Sequence, residues 1–170
     1  MKRRLFIATG LAALVAACQR KDATAPATAE ESVPDAAGKA FLERTAKDEG
    51  VKSTPSGLMY KVVRSGPAEG VHPRPQDEVR VHYEGTLIDG TVFDSSYREG
   101  TPVVFQLGQL IPGWIEGIGL MRPGDEWLIY LPPKLGYGAK GAGDRIPPNS
   151  VLVFRIELLG VLQVGGPPMG

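Results

Sequence analysis

The side chains most used in covalent and metal chemistry are scarce in this sequence. Its 170 residues include one cysteine, Cys18, and two histidines, His72 and His82. No His, Cys and carboxylate group has the spacing of a metal site, no Gly-rich loop has the context of a phosphate cradle, and no Gly-x-Ser-x-Gly elbow occurs. We therefore expect no metal, no cofactor and no nucleophilic triad. We predict His82 on the polar face of a strand and His72 in an exposed loop.

Cys18 ends a pattern that is typical of exported proteins. Lys2–Arg4 are basic, and the apolar run Leu5–Ala17 is too short to cross a bilayer of about 30 Å but suits a signal peptide. The pattern resembles the lipobox of bacterial lipoproteins, whose cysteine thiol forms a thioether with diacylglycerol. We predict a signal peptide over residues 1–17 and a lipid at Cys18 that anchors the protein to the cell envelope, facing the periplasm. An ordinary cleaved signal peptide or a buried structural cysteine is the alternative. Gln19, which is not acidic, favours the outer membrane.

Aromatic side chains are the remaining candidates for a site. Tyr137 lies between Gly136 and Gly138, an unusual position for a packed core aromatic. Trp114 and Phe154, taken alone, fit a hydrophobic core better than a binding surface. The residue types by themselves leave both interpretations open.

The elements that would position these aromatics are mostly strands. Apolar residues alternate with polar ones along several segments, which is the period of a half-buried strand. One segment, 113–121, has helical spacing instead, and an α+β domain with an antiparallel sheet and one helix across its face is expected. The predicted strands are 58–63, 79–87, 91–93, 103–107, 126–131 and 151–159.

The amino-terminal part of the chain differs in composition. Residues 18–34 are rich in Ala, Thr, Ser, Pro and Glu and predict a flexible tether. Residues 35–49 predict a short helix with Asp35 as N-cap and Gly50 after its end. This helix would dock on the domain, pair with a second copy of itself, or act as a fraying spacer. Self-association is therefore left open.

Composition removes several classes of protein. The chain has 19 Lys and Arg against 19 Asp and Glu, and this zero balance argues against a dedicated nucleic-acid binder. Its 22 glycines and 15 prolines exclude a helical bundle or coiled coil, which tolerate few of either. A hydrophobic content of 42% argues against disorder of the whole chain.

Seven motifs follow one another in the order Val81–Gly85, Asp89–Ser96, Ile111–Trp114, Glu116–Gly117, Met121–Gly124, Leu135–Gly138 and Ile146–Phe154. Together they resemble the FKBP-type peptidyl-prolyl cis-trans isomerases. Residues 54–58 are also similar to the bacterial envelope branch of that family, the macrophage infectivity potentiator group, which agrees with a lipoprotein form. The resemblance covers about residues 54–161. It implies a curved antiparallel sheet wrapped on a short helix, with the domains 1–17, 18–34, 35–53 (a short helical segment), 54–162 (the isomerase domain) and 163–170 (a tail).

The resemblance also implies a site. Trp114 would form the floor under a substrate proline, the Ile111 N–H and the Tyr137 hydroxyl would hold carbonyls, and Asp94 would orient Tyr83 or an arginine such as Arg98. We expect the catalytic group to be Tyr83, Asp94 and Tyr137. The substrate-binding group is expected to be Phe93, Phe105, Leu110, Ile111, Trp114, Ile146 and Phe154.

The family resemblance implies X-Pro segments of folding proteins as substrates and macrolide immunosuppressants as inhibitors. Two alternatives remain: a peptide-binding module or chaperone that uses the same cleft without catalysis, and a structural lipoprotein whose FKBP domain serves only assembly. The chain departs from the family at Val103, Ala142 and Arg145, which affects inhibitor affinity and substrate preference. Arg145, at the rim, predicts a preference for acidic or carbonyl-rich segments.

Overall fold

The computed structural model describes residues 35–165, so the predicted signal peptide, Cys18, the tether and the last tail residues lie outside it. The described part contains three α-helices, seven strands and three short 3-10 segments. The helices are α1 (Ala36–Thr45), α2 (Ser96–Glu99) and α3 (Pro112–Gly119). The strands are β1 (Val51–Ser53), β2 (Met59–Arg64), β3 (Glu78–Leu87), β4 (Val92–Ser95), β5 (Val103–Gln106), β6 (Glu126–Leu131) and β7 (Leu152–Leu162).

All strand pairs of the sheet are antiparallel, in the order β1-β2-β6-β7-β3-β4, with β5 also on β3. Strands β3 and β7 pair along their whole lengths. On the other edge of β3, β5 pairs with residues 78–81 and β4 with residues 84–86. Between these two pairings there is a break in the ladder, because His82 and Tyr83 have no strand partner on this edge of β3. Helix α2 spans the break and connects β4 to β5.

Helix α3 packs across one face of the sheet and closes the hydrophobic core. Trp114 is 4% exposed, and Ile118 is fully buried against residues of the sheet. A fully buried side chain of this size contributes about 1.5–3 kcal/mol relative to an exposed one. Gly113 lies so close to β6 that an added Cβ would be 2.4 Å from Leu131 Cδ2, so the helix needs glycine there to approach the sheet.

The predicted fold class and strand segments are confirmed, but the amino-terminal boundaries are wrong in two places. Asp35 caps α1 as expected, accepting a bond of 2.6 Å from Gly38 N–H, but the helix ends at Thr45 and not near Glu49. The following residues form tight turns that lead into β1, which pairs with β2. The segment 35–53 is therefore only partly helical, because its last three residues pair with β2 instead of extending the helix.

Helix α1 lies on the domain. The Phe41 ring is tilted against that of Tyr130 with centroids 6.1 Å apart, and Gly38 and Thr45 are buried. Helix α2 is a further difference, since only 113–121 was expected to be helical within the domain. No helix among residues 35–165 is long and apolar enough to cross a membrane.

Asp77 is a fully buried carboxylate that connects the start of β3 to the end of the described chain. Its oxygens accept bonds of 3.1 Å each from Nε and Nη2 of Arg74, and bonds from the N–H groups of Arg74 (2.9 Å) and Val164 (3.0 Å). The Arg74 guanidinium, and then the backbone donors, hold the pKa of Asp77 below its usual range against the opposing effect of burial.

Asp77→Asn is expected to lower the free energy of unfolding by about 2 kcal/mol at pH 7, because charge-assisted bonds to a buried group are lost. The lowered pKa stabilises the fold above the unfolded value of about 3.9, and this stabilisation is lost as pH falls through the folded value. The gap in Tm between the native chain and Asp77→Asn should therefore narrow from pH 6 to pH 3. Glu69→Gln, at an exposed loop position, serves as control. A gap that stays constant with pH would contradict the assignment.

Candidate active site

A cavity of about 210 Å³ opens between the sheet and α3. Nine of the ten predicted site residues line it. The tenth, Ile146, is not among the lining residues; it is 5% exposed and packs in the hydrophobic core, and its backbone pairs with Ala142. The lining residues are Tyr83, Phe93, Asp94, Phe105, Leu110, Ile111, Trp114, Tyr137 and Phe154.

The walls of the cavity are aromatic rings set edge to face. Trp114 is the centre of the set, with ring centroids 5.1 Å from Tyr83, 5.9 Å from Phe105 and 5.3 Å from Phe154. Phe93 meets Phe154 at 5.5 Å with an interplanar angle of 85°. Such pairs contribute about 0.5–1.5 kcal/mol each beyond area burial. The rings therefore hold one another in place and form an apolar box of fixed shape.

The start of α3 brings a backbone donor to this box. Pro112 occupies the first turn, where its missing N–H costs nothing, and Ile111 is the N-cap. The Ile111 carbonyl accepts bonds from Trp114 and Ile115 N–H groups at 2.9 and 3.2 Å. Within residues 35–165 the Ile111 N–H itself donates to no acceptor, so a donor is available at the cavity wall.

Tyr83 and Asp94 form the polar pair of the cavity. The Tyr83 hydroxyl donates to Asp94 Oδ2 at 2.6 Å, and Asp94 Oδ1 accepts from the Ser95 N–H at 3.0 Å. Burial first, and then the bond to Asp94 and its charge, raise the pKa of Tyr83 far above its usual value. The phenol therefore stays protonated and donates its hydrogen bond. Of the two partners expected for Asp94, the structure has Tyr83 and not Arg98.

Ser96 supports Tyr83 through a hydrogen bond to its backbone. Sequence reasoning missed this residue. At the break between β4 and β5, its buried Oγ accepts from the Tyr83 N–H at 2.8 Å and lies 2.9 Å from His82 Nδ1. It replaces the ladder partner that Tyr83 lacks there. The sequence motif shows a serine after Asp94, but only the sheet topology shows that its hydroxyl meets the β3 backbone.

Ser96→Ala is expected to lower the free energy of unfolding by about 1–3 kcal/mol, since it leaves a buried N–H without an acceptor. It should also lower activity at the site, because Tyr83 loses its backbone support. Ser95→Ala is the matched control: it removes a bond of 3.1 Å to Glu84 but none to Tyr83. Equal activity of the two variants at equal stability would show that Ser96 does not position Tyr83.

Tyr137 lies over the mouth of the cavity on the flap, here residues 136–145. It is 40% exposed, and burial of the rest of the ring, followed by the charge of Asp94, raises the pKa of its hydroxyl. The flap is fixed below it by a bond of 2.9 Å from the Asn149 N–H to the Gly138 carbonyl and by the Ala142–Ile146 bridge. The phenol is thus a protonated donor at the rim.

The arrangement combines an apolar aromatic box, one hydrogen-bonded carboxylate, and donors at the wall and rim. No group of three or more His, Cys, Asp or Glu side chains in the described range is placed to hold a metal ion. The lining holds no cysteine, serine or histidine that could serve as a nucleophile. The site is suited to binding a compact apolar ring with polar groups on its flanks.

Two family models match this chain. Residues 69–159 match the family "FKBP-type peptidyl-prolyl cis-trans isomerase", and residues 5–62 match "Domain amino terminal to FKBP-type peptidyl-prolyl isomerase". The FKBP-type 22 kDa peptidyl-prolyl cis-trans isomerase of Escherichia coli (strain K12) is 53% identical over 75% of this chain and 61% of its own. The outer membrane protein MIP of Legionella longbeachae is 45% identical over 74% of this chain and 53% of its own.

Two solved structures of similar proteins have the same fold as this chain. FkpA from Escherichia coli superposes with a TM-score of 0.71 at 47% identity, covering 75% of this chain and 58% of that one. A peptidyl-prolyl cis-trans isomerase from Pseudomonas syringae pv. tomato gives a TM-score of 0.69 at 36% identity, covering 75% of this chain and 92% of that one. The chain spans about half the length of the curated relatives it matches. By sequence and fold, the chain belongs to the FKBP-type peptidyl-prolyl cis-trans isomerase family.

Proposed function

We propose that this protein is a peptidyl-prolyl cis-trans isomerase that acts on X-Pro segments of folding proteins. The observation that carries the proposal is the aromatic cavity on Trp114, with the Tyr83–Asp94 hydrogen bond at its side. A proline ring is compact, apolar and rigid, and it matches such a box. The substrate backbone on either side would remain at the polar rim.

The chemistry of the reaction agrees with the side chains of the cavity. Isomerisation breaks no bond, but amide resonance sets a barrier of about 18–20 kcal/mol, and uncatalysed events take on the order of tens to hundreds of seconds. The twisted transition state has lost resonance, so it carries less charge separation than the planar amide. An apolar, water-poor cavity therefore favours the twisted form relative to the planar one.

The polar groups would fix the substrate while the bond turns. Trp114 forms the floor for the proline ring, and the walls Phe93 and Phe154 restrict its movement. The Ile111 N–H and the Tyr137 hydroxyl donate to carbonyls on the two sides of the bond. Interactions that strengthen only in the twisted geometry lower the barrier, whereas equal binding of both forms does not. Asp94 acts by orienting Tyr83 and by its charge, without proton transfer.

A protease-coupled assay tests the proposal. The chain should accelerate cis-to-trans conversion of an Ala-Pro test peptide above the uncatalysed rate, and a macrolide immunosuppressant should inhibit it competitively. Absence of acceleration would overturn the isomerase assignment in favour of a peptide-binding module or chaperone that uses the same cleft.

We further propose that the protein works in the bacterial cell envelope, held by a lipid on Cys18 and facing the periplasm. The basic Lys2–Arg4, the apolar run to Ala17 and the single cysteine support this. One relative carries the name outer membrane protein, which favours the outer membrane. Several acyl chains together give stable anchoring where one is marginal. Cys18→Ala should move the protein from the membrane to the soluble fraction, and unchanged fractionation would contradict the lipid anchor.

A further inference from the structure

We propose that a second cavity beside the active site binds the carboxylate of an acidic residue next to the substrate proline. It has a volume of about 410 Å³ and lies among β4, α2 and the flap. The proposal rests on the proposed isomerase function and names a substrate class for it. The cavity is lined by Thr91, Val92, Phe93, Arg98, Asp144 and Arg145.

The position of the second cavity puts it within reach of a bound peptide. Phe93 lines both this cavity and the aromatic one, so the two cavities share a wall residue and are adjacent. An extended chain advances by roughly 3.3–3.6 Å per residue. A peptide with its proline in the aromatic cavity therefore brings the side chain of a flanking residue to the second one.

The charges of the second cavity favour an anion. The lining includes two arginines, Arg98 and Arg145, and one acidic residue, Asp144. The ion pairs found within residues 35–165 involve Arg64, Arg74 and Arg155. Within residues 35–165, neither cavity arginine forms an ion pair of 4 Å or less with a carboxylate, Asp144 included. The net positive charge is available to a ligand.

Arg145 is held in a defined place by its neighbours. Its Nη1 donates to the Phe93 carbonyl at 3.2 Å, which fixes one arm of the guanidinium on β4. The next residue, Ile146, exchanges two backbone bonds with Ala142, of 2.9 and 3.1 Å, which fixes the flap at this point. A guanidinium has five N–H donors in a rigid fork, so the remaining donors can take a carboxylate in two-point contact.

Arg98 also lines the second cavity. It lies on α2, and the first residue of that helix, Ser96, is hydrogen-bonded to the β3 backbone at Tyr83. The carboxylate of Asp94, in the aromatic cavity, is engaged by the Tyr83 hydroxyl and the Ser95 N–H. These two hydrogen bonds offset part of its negative charge, and the positive charge of the two arginines has to outweigh the repulsion that remains.

The expected effect is a charge preference beside the proline. Ion pairs at partly exposed sites are individually weak, so we expect kcat/KM for a Glu-flanked proline to exceed that for a Gln-flanked one by roughly three- to tenfold at low salt. The preference should shrink in 0.5 M NaCl, since exposed charges are screened. Arg145→Gln should bring the Glu-to-Gln ratio close to one, and Arg98→Gln should reduce it.

The experiment compares peptides that differ only in Glu, Gln or Lys, placed before or after the proline, with the full chain. Lys140→Gln is the matched control, since Lys140 is an exposed flap cation outside the cavity and its loss should leave the ratio intact. The same peptides are titrated by calorimetry, so that the affinity ratio is obtained even for a chain that does not catalyse.

The outcomes separate this inference from the proposed function. Acceleration of the Gln peptide with equal rates for Glu overturns only the acidic subsite. No acceleration of any peptide overturns the isomerase assignment, and the calorimetric Glu-to-Gln ratio then decides on the subsite. Two results would show that the second cavity does not bind the acidic side chain of the substrate. One is a Glu preference that persists in both arginine variants, and the other is a Glu preference that is lost equally in Lys140→Gln.

Discussion

Asp94→Ala is expected to lower kcat/KM for X-Pro peptides by roughly 10- to 100-fold, because it removes one charge-assisted hydrogen bond worth about 1.5–3 kcal/mol. The bond in question is the one of 2.6 Å from the Tyr83 hydroxyl. Tyr83 is 9% exposed, so its hydroxyl would lose its partner in a water-poor place. Asp94 is itself at an exposed position, so its truncation leaves no cavity in the core and the fold should persist.

A matched variant separates the two roles of Asp94. Asp94→Asn keeps an oxygen that can accept from Tyr83 but removes the charge, so it should retain more activity than alanine if orientation dominates. Removal of the carboxylate should also let the pKa of Tyr83 fall toward its usual value, which an ultraviolet titration of the phenol measures. Full activity of Asp94→Ala with an unchanged Tyr83 titration would refute the role given to this pair.

Gly85→Ala is expected to damage the active site through packing alone. Gly85 lies on β3 behind the aromatic walls, and an added Cβ would be 2.5 Å from Phe93 Cζ and 2.8 Å from Phe154 Cε1. Both rings must move, and the space open to them is the cavity. We expect the free energy of unfolding to fall by about 1–3 kcal/mol, the usual cost of overpacking. We expect kcat/KM to fall at least about tenfold, since each loss of roughly 1.4 kcal/mol in transition-state stabilisation is a factor of ten.

The chain offers a control for this substitution within the same sheet. A Cβ at Gly160, on β7, would meet no atom within 4 Å, and its φ is not in the left-handed region. Gly160→Ala should therefore change the free energy of unfolding by no more than about 0.5–1 kcal/mol and leave activity unchanged. Melting curves and peptide assays on both variants make the comparison. If Gly85→Ala behaves like Gly160→Ala, the rings do not form a rigid wall.

Local patterns were sufficient to predict most of the sheet. The bounds of β6 were predicted without error at 126–131, and β3 begins one residue before the predicted 79. In β3, buried residues alternate with exposed or partly buried ones, which is a property of the segment itself. Strand β6 is an apolar run that ends before Pro132. Helix α1 ended early and β1 was missed, because β1 is only three residues long and exists by pairing with β2.

The aromatic lining was predicted from motif resemblance, whereas its supports were not. Ser96 serves Tyr83 only because β4 and β5 share one edge of β3 and leave a break there. That arrangement joins residues far apart in sequence, which no local pattern contains. Ile146 was expected at the cavity, but the Ala142–Ile146 bridge turns the flap at this point and the residue packs in the core.

The most direct test of the central claim is magnetisation-exchange NMR on an Ala-Pro peptide at equilibrium, with the protein at about a hundredth of the peptide concentration. We predict that the chain raises the cis-to-trans and trans-to-cis rates by the same factor and leaves the cis fraction unchanged. Exchange should then be much faster than the uncatalysed exchange, which takes on the order of tens to hundreds of seconds. Asp94→Ala should reduce that factor. Exchange no faster than in the peptide alone, or a cis fraction that shifts only with stoichiometric protein, would contradict catalysis and indicate a binding module.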